Sequence, residues 1–341
     1  MAKKAVTFGE IMMRLQTPGY QRYIQAQGFE LVYGGGEANV AVSLANFGID
    51  ASFVTKLPEN PLGDACLATL RKYGVDTSKI ARGGERLGIY FCEKGASQRP
   101  SNVVYDRAHS SIATAEPADF NWAEIFGGAE WFHFTGITPA ISDSAAAITL
   151  EACKKAKELG IKISCDLNFR KKLWTSEKAG RVMGELMQYV DVCIANEEDA
   201  EKVFGIKASE TDVTSGEINR DGYKEVAHKL AERFGFEKVA ITLRESISAS
   251  VNGWSAMLYD GKDCVFSKKY TMNVIDRVGG GDSFGGGLIY ALMNDYGTED
   301  AINFAVAASC LKHTIEGDFN LVSVAEVKNL AGGDGSGRVQ R

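Results

Sequence analysis

Asp276-Arg277-Val278-Gly279-Gly280-Gly281-Asp282-Ser283-Phe284-Gly285-Gly286-Gly287 is the stretch on which the reading of this chain turns. It follows a β-type run over residues 270–275 and leads into a segment with Phe284, Leu288 and Leu292 at helical spacing. Three glycines therefore stand where a strand ends and a helix begins. Glycine lets the backbone approach a ligand closely and take positive φ. A helix start offers unbonded N–H groups and the positive end of the helix dipole, which together cradle a phosphate. An Asp in the first turn beside that cradle is placed to take a proton from a hydroxyl. Read as a bare turn, the stretch leaves Asp282 only favouring the helix N-terminus. It is neither Gly-x-Gly-x-x-Gly nor Gly-x-x-x-x-Gly-Lys followed by Ser or Thr, so dinucleotide and P-loop readings lose their motif.

A second glycine run, Gly34-Gly35-Gly36-Glu37-Ala38-Asn39-Val40-Ala41, also opens a helix. Its ligand-facing candidates are backbone N–H groups and the Asn39 amide, which both donates and accepts and so suits a polyhydroxyl ligand. Between the two runs, short apolar β-type segments alternate with helical patterns. Strands are expected at residues 6–8, 51–57, 130–135, 161–167, 191–195 and 238–243. Helices are expected at 37–47, 64–73, 143–159, 178–189, 223–234, 284–293 and 299–313, the first three stopped by Gly48, Gly74 and Gly160. Such alternation implies an α/β fold with a mostly parallel sheet covered on both faces. Residues 17–33 and 87–107 break the rhythm. They read as strands and turns rich in tyrosine and glycine, either a small sheet lid over the site or two surface hairpins. One domain over residues 1–330 is expected, with a Gly- and Ser-rich, disordered tail at 331–341.

The whole chain narrows the function classes. With 341 residues, 45% hydrophobic and 24% charged, it can bury a sizeable core. Its net charge of -6, without a basic stripe, argues against nucleic acid as the main partner. No 18-residue apolar run and no signal-like start are present, so neither a membrane nor an export partner is expected. Seven scattered cysteines, never spaced Cys-x-x-Cys, read as reduced thiols in a cytoplasmic protein.

Gly35-Gly36-x-x-Asn39 and Asp276-x-x-Gly279-Gly280-Gly281-Asp282, in this order and separation, resemble the paired signatures of the ribokinase-like (PfkB) carbohydrate kinases. Asp276-Arg277-Val278-Gly279, the 166–170 strand end (Asp-Leu-Asn-Phe-Arg) and the 317–322 segment (Gly-Asp-Phe-Asn-Leu-Val) look most like the 2-keto-3-deoxygluconate kinases within it. The resemblance implies a three-layer α/β/α fold with a small β-sheet lid. It implies ATP and Mg²⁺ as cofactors, Asp282 as catalytic base, and the amides of Gly279, Gly280, Gly281 and Asp282 as the anion hole. Gly34, Gly35 and Asn39 would hold the sugar. Asn196-Glu197-Glu198-Asp199 matches the Asn-x-x-Glu element that organises Mg²⁺ and phosphates through water, with Asp199 one methylene shorter. Thr242-Leu243-Arg244 falls where the family has Thr-Leu-Gly beside the nucleotide; Arg244 would meet a phosphate instead. Asp276 resembles the position near a monovalent-cation (K⁺) site.

A sugar acid is the favoured acceptor because Arg170 ends a parallel strand and Arg107 follows the lid strand, each able to fork onto a carboxylate. Tyr90 and Tyr105 would stack on or bond to the sugar, or fill the lid. Exposed sheet edges with aromatic residues lead to the expectation of a homo-oligomer joined through the lid. The competing readings are a same-fold kinase for a neutral sugar or nucleoside, a non-catalytic sugar or nucleotide sensor, and, more remotely, a dehydrogenase.

Overall fold

Strand runs flanked by glycine-stopped helices build a layered α/β structure, and the computed structural model describes residues 3–208 and 220–337 of it. The strands are β1 (Lys4–Phe8), β2 (Met12–Gln16), β3 (Glu30–Gly34), β4 (Asp50–Val54), β5 (Lys56–Leu57), β6 (Ala81–Arg82), β7 (Gly88–Glu93), β8 (Asn102–Asp106), β9 (Trp131–Thr135), β10 (Lys162–Asp166), β11 (Val192–Asn196), β12 (Lys238–Ser246), β13 (Val251–Tyr259), β14 (Cys264–Phe266) and β15 (Tyr270–Asn273). The helices are α1 (Gly36–Asn46), α2 (Pro61–Lys72), α3 (Trp122–Ile125), α4 (Ile137–Ile141), α5 (Asp143–Glu158), α6 (Ser176–Leu186), α7 (Glu197–Phe204), α8 (Arg220–Phe234), α9 (Gly280–Met293), α10 (Thr298–Lys312) and α11 (Val324–Ala331).

The main sheet has the order β14-β13-β12-β11-β10-β9-β1-β4, with β15 also paired to β13. From β12 to β4 every neighbouring pair is parallel. β13 runs antiparallel to β12, β14 and β15. Side chains on the parallel strands alternate between two cores, as period-2 geometry requires. Val6, Phe132, Phe134 and Cys165 face α5, α6 and α8. Ala5, Ala51, Trp131 and Ile194 face α1, α9 and α10. α9 is apolar nearly all round and buried between α1, α10 and the sheet, the environment such a helix needs.

The sheet order reverses at β1: the chain goes from β1 to β4 on one side, and from β9 onward on the other. In open α/β sheets the crevice at the carboxyl ends of strands beside such a reversal is where ligands bind. A second sheet, β3-β2-β7-β8, is antiparallel except for the parallel pair β2–β7.

Three features depart from the expected pattern. The strand from residues 12–16 had not been expected, and within 17–33 only Glu30–Gly34 is strand. The antiparallel strand Val251–Tyr259 is buried along nearly its whole length, so it lacks polar alternation, and Asn252 and Gly253 weaken its β signal. α11 follows a Ser323–Glu326 capping box and ends at Ala331, inside the segment expected to be disordered; residues 338–341 of that segment lie outside the described residues. No helix among the described residues is long and apolar enough to cross a membrane.

Candidate active site

The two glycine turns lie 243 residues apart in sequence, yet they meet. Asn39 Nδ2 donates to Asp282 Oδ2 at 2.6 Å, joining the first turn of α1 to the first turn of α9. A Cβ on Gly36 would lie 3.2 Å from Thr135 Cγ2 and 3.6 Å from Asp282 Oδ1, so this glycine sits at the same junction. Of the second run only Gly279 uses positive φ, at 80°, and it turns the strand end into the helix start. Removal from water pushes the Asp282 carboxyl up to about 6, against the Asn39 hydrogen bond. Asp318 adds to the rise, while Arg170 and Lys312 oppose it. A carboxylate so tuned remains ionised at neutral pH and is a stronger base than an ordinary Asp.

Around Asp282, the carboxyl ends of the parallel strands supply further charge. Asp166 ends β10, and its carboxyl is held well above the usual range by burial, then by Asp199 and Asp282. Asp199 is pushed up to about 6 by burial. Both Asp199 oxygens accept backbone N–H groups, from Phe169 at 3.0 Å and Asn196 at 3.4 Å. Asn196 Oδ1 accepts from the Asp199 N–H at 2.9 Å, so the expected phosphate-organising element is also the capping box of α7. Each Asp199 oxygen thus spends one lone pair on the backbone and keeps another for a water or an ion. Among the described residues no cluster of three His, Cys, Asp or Glu side chains could hold an ion alone. The set fits Mg²⁺ as the nucleotide's companion, which keeps its waters and touches few carboxylates.

Arg170 is exposed, forms no ion pair among the described residues, and its guanidinium donates to the Phe169 carbonyl at 3.3 Å. Its charge nonetheless favours the ionised forms of Asp166, Asp199 and Asp282. Arg107 is placed differently from expectation: its guanidinium is bonded to Glu10, whose other oxygen accepts from Ser110 Oγ at 2.8 Å. Tyr90, expected to meet the sugar or to fill the lid, is buried with its hydroxyl donating to Asp318 Oδ2 at 2.5 Å. Tyr105 is exposed on β8, its ring 5.9 Å from that of Tyr90. Thr242 stands opposite Asn196 on the neighbouring strand. Arg244 is exposed further along β12 and near Arg277, whose own proton affinity is lowered by burial and by Arg244.

Beneath the turns lies a buried charge cluster that sequence reading did not find. Arg14, fully buried on β2, donates to Asp276 Oδ2 at 2.7 Å and Asp318 Oδ1 at 2.8 Å. Burial opposes its charge, but Asp318 and Asp276 hold its proton affinity above the ordinary value. Gly34 fits against Asp318, whose Oδ2 would lie 1.9 Å from a Cβ there. The Lys312 ammonium takes the carbonyls of Asp276 and Gly317 at 3.2 and 2.7 Å. The surroundings of Asp276 therefore do not fit the expected K⁺: its carboxylate belongs to Arg14 and its carbonyl to Lys312. Glu37 was also missed as more than a motif position. It is buried, accepts from Thr135 N, Thr135 Oγ1 and Thr138 Oγ1 at 2.8, 2.8 and 2.6 Å, and burial pushes it up to about 7 against those bonds. It pins the first turn of α1 to the end of β9.

A family profile described as pfkB family carbohydrate kinase matches residues 2–322. A 2-dehydro-3-deoxygalactonokinase of Haloferax volcanii is 33% identical over 98% of this chain and 98% of its own. The crystal structure of a 2-dehydro-3-deoxygluconokinase from Thermotoga maritima superposes with a TM-score of 0.93 at 52% identity, covering 98% of this chain and 99% of that one. An uncharacterized sugar kinase from Pyrococcus horikoshii in complex with ATP shares the fold, with a TM-score of 0.73 at 23% identity over 93% and 94% of the chains. This chain belongs to the pfkB family carbohydrate kinases and has their ribokinase-like fold.

Proposed function

We propose that the chain transfers the γ-phosphoryl group of ATP to a hydroxyl of a 2-keto-3-deoxy sugar acid, converting 2-keto-3-deoxygluconate to its 6-phosphate. The observation that carries this reading is the Asn39–Asp282 junction at the sheet's reversal point, with the exposed Arg170 guanidinium beside it. Asp282 accepts the proton of the attacking hydroxyl, and Asn39 orients that carboxylate. The N–H groups at the start of α9 hold the transferring phosphoryl. Asp166 and Asp199 would hold Mg²⁺ through water; bound there, the ion offsets charge on the phosphates. Asn196, Thr242 and Arg244 line the nucleotide side, with Arg244 and Arg277 facing the phosphates. Arg170 takes the acceptor's carboxylate. Arg107, tied to Glu10, is the weaker partner for it. The names of the Haloferax and Thermotoga relatives support a 2-keto-3-deoxy acid.

The small sheet serves as a lid that keeps water from the phosphoryl group. Tyr20, Ile24, Phe29, Leu31, Val104 and Tyr105 are exposed on it and its connections, and a second copy of the chain covers them. A strictly monomeric mass at micromolar concentration would remove that part of the reading.

The acceptor is tested by kcat/KM for 2-keto-3-deoxygluconate and fructose in wild type, Arg170→Ala and Arg107→Ala. Hydrogen bonds to charged groups contribute about 1.5–3 kcal/mol, so Arg170→Ala lowers use of the acid roughly 10- to 150-fold. Fructose, without a carboxylate, is affected far less. Wild-type preference for fructose overturns the sugar-acid assignment and leaves the kinase. No ADP formation with any acceptor overturns the catalytic reading in favour of a sensor.

A further inference from the structure

We propose that Lys312 is a tethered cation that takes the place of an exchangeable monovalent ion beneath the phosphate-binding turn, so that catalysis needs no K⁺. The inference rests on the phosphoryl-transfer reading for its kinetic consequence and on the geometry alone for its structural one. Lys312 ends α10 and is fully buried. A buried ammonium is costly unless its donors are satisfied. Its Nζ donates to the carbonyl oxygens of Gly317 at 2.7 Å, Asp276 at 3.2 Å and Ile315 at 3.4 Å. Three donors meet three main-chain carbonyls drawn from two loops. Carbonyl cages of this kind replace the hydration shell of a monovalent metal ion. Burial lowers the proton affinity of this lysine, while Asp276 and Asp318 oppose that change. Only the protonated amine has three hydrogens for the three acceptors.

Charge balance points the same way. The cluster holds two cations, Arg14 and Lys312, and two carboxylates, Asp276 and Asp318, all buried. Arg14 bonds both carboxylates, and Lys312 bonds only carbonyls. A further cation would leave an uncompensated buried charge, which is strongly unfavourable.

The position explains the use. The Asp276 carbonyl lies three residues before Gly279, and Gly317 adjoins Asp318, whose carbonyl oxygen would be 2.0 Å from a Cβ on Gly279. On the same stretch of α10, Ser309 Oγ donates to the Gly280 carbonyl at 2.7 Å. Lys312 thus clamps together the two loops that set the anion-binding turn. Its charge also reaches Asp282, where it favours the ionised form. It touches no reacting atom and is a positioning residue.

The test compares ADP formation with 2-keto-3-deoxygluconate, and melting temperature, in KCl, NaCl and tetramethylammonium chloride at equal ionic strength. Wild type gives the same rate and the same Tm in all three. A severalfold stimulation of wild type by K⁺ overturns the proposal. Lys312→Ala loses roughly 10- to 100-fold in rate in tetramethylammonium chloride, the loss expected from charge-assisted hydrogen bonds. KCl or ammonium chloride then restores rate and raises Tm, because a small cation enters the emptied carbonyl cage. A merely structural lysine would leave a variant whose rate and Tm ignore the cation, and that result overturns the proposal. If Lys312→Ala does not fold in any salt, the wild-type comparison decides. If no acceptor is turned over, the function reading fails, and the cation dependence of Tm still decides the role of Lys312.

Discussion

In the turn before α1, a Cβ on Gly34 would lie 1.9 Å from Asp318 Oδ2 and one on Gly35 would lie 1.9 Å from the Glu10 carbonyl oxygen; in the turn before α9, a Cβ on Gly281 would meet no atom within 4 Å. None of the first three glycines has positive φ. They are glycines because other parts of the chain press against them. In the second turn, Gly279 combines φ 80° with contact to the Asp318 carbonyl, and a Cβ on Gly280 would strike the His313 ring at 2.3 Å. Gly281 alone has neither constraint. The first turn is therefore closed by packing, and the second leaves one position facing empty space above a helix start. On the proposed reaction that space would take the transferring phosphoryl, with the second turn carrying the chemistry and the first positioning it.

The sharpest way to break this division is to remove the base and its partner separately. Asp282→Asn keeps the shape but not the proton acceptor, and turnover falls roughly 10²–10⁴-fold, the usual range for a general base. Asn39→Ala removes one hydrogen bond to a charged group, worth about 1.5–3 kcal/mol, and costs roughly 10- to 150-fold. Steady-state kinetics on both variants checks the order. Equal losses would make the two turns one functional unit, and near-normal turnover in Asp282→Asn would reduce Asp282 to a helix-start residue.

The glycines give a smaller but cleaner contrast. Gly35→Ala and Gly279→Ala each force packed backbone apart and lower stability by about 1–3 kcal/mol, the usual penalty for overpacking. Gly281→Val stays within about 0.5 kcal/mol of wild type, as substitutions free of contacts do, yet its turnover drops sharply. Urea unfolding and kinetics on the same three proteins separate the effects. A fully active Gly281→Val would show that the open space is not used.

The smallest effect is a displacement along the pH axis. The folded-state carboxyl of Asp282 lies at about 6, above the ordinary Asp value. Its base form is lost as pH falls through that value, so kcat/KM declines on the acid side near pH 6. The Asn39 hydrogen bond holds this carboxyl down, so Asn39→Ala moves the acid limb to higher pH. Asp199 also lies near 6, but its bonds go to Phe169 and Asn196. An acid limb that does not move in Asn39→Ala therefore assigns the titration to a group other than Asp282.

What could be read from sequence was local. Glycine runs that open helices, strand–helix alternation and helix-stopping glycines all lie within about ten residues, and they lead directly to the parallel sheet and its two turns. Gly48, for example, ends the first helix with φ 86°. Arg14 looked like an isolated charge near the start of the sequence, because its partners are 262 and 304 residues away. Lys312 looked like a basic residue in the last turn of a helix, where lysine commonly faces solvent. Tyr90 was open to a sugar contact or to filling the lid, and Arg107 to a carboxylate or to an ion pair; no local pattern could show that Asp318 and Glu10 engage them. β13 was hidden because burial on both faces removes the alternation by which strands are recognised.

The pairing of Arg14 also bears on how the chain comes to be folded during synthesis. The small-sheet strand that carries Arg14 is made long before residues 276 and 318 exist. Until they do, burying that guanidinium would strand a charge, which costs several kcal/mol. A ribosome-bound chain halted between these residues can bury Arg14 against Asp276 only, with the Asp318 half of the pair missing. The seat of that guanidinium is thus complete only when both counter-charges are present, which ties the first hairpin to the far end of the fold.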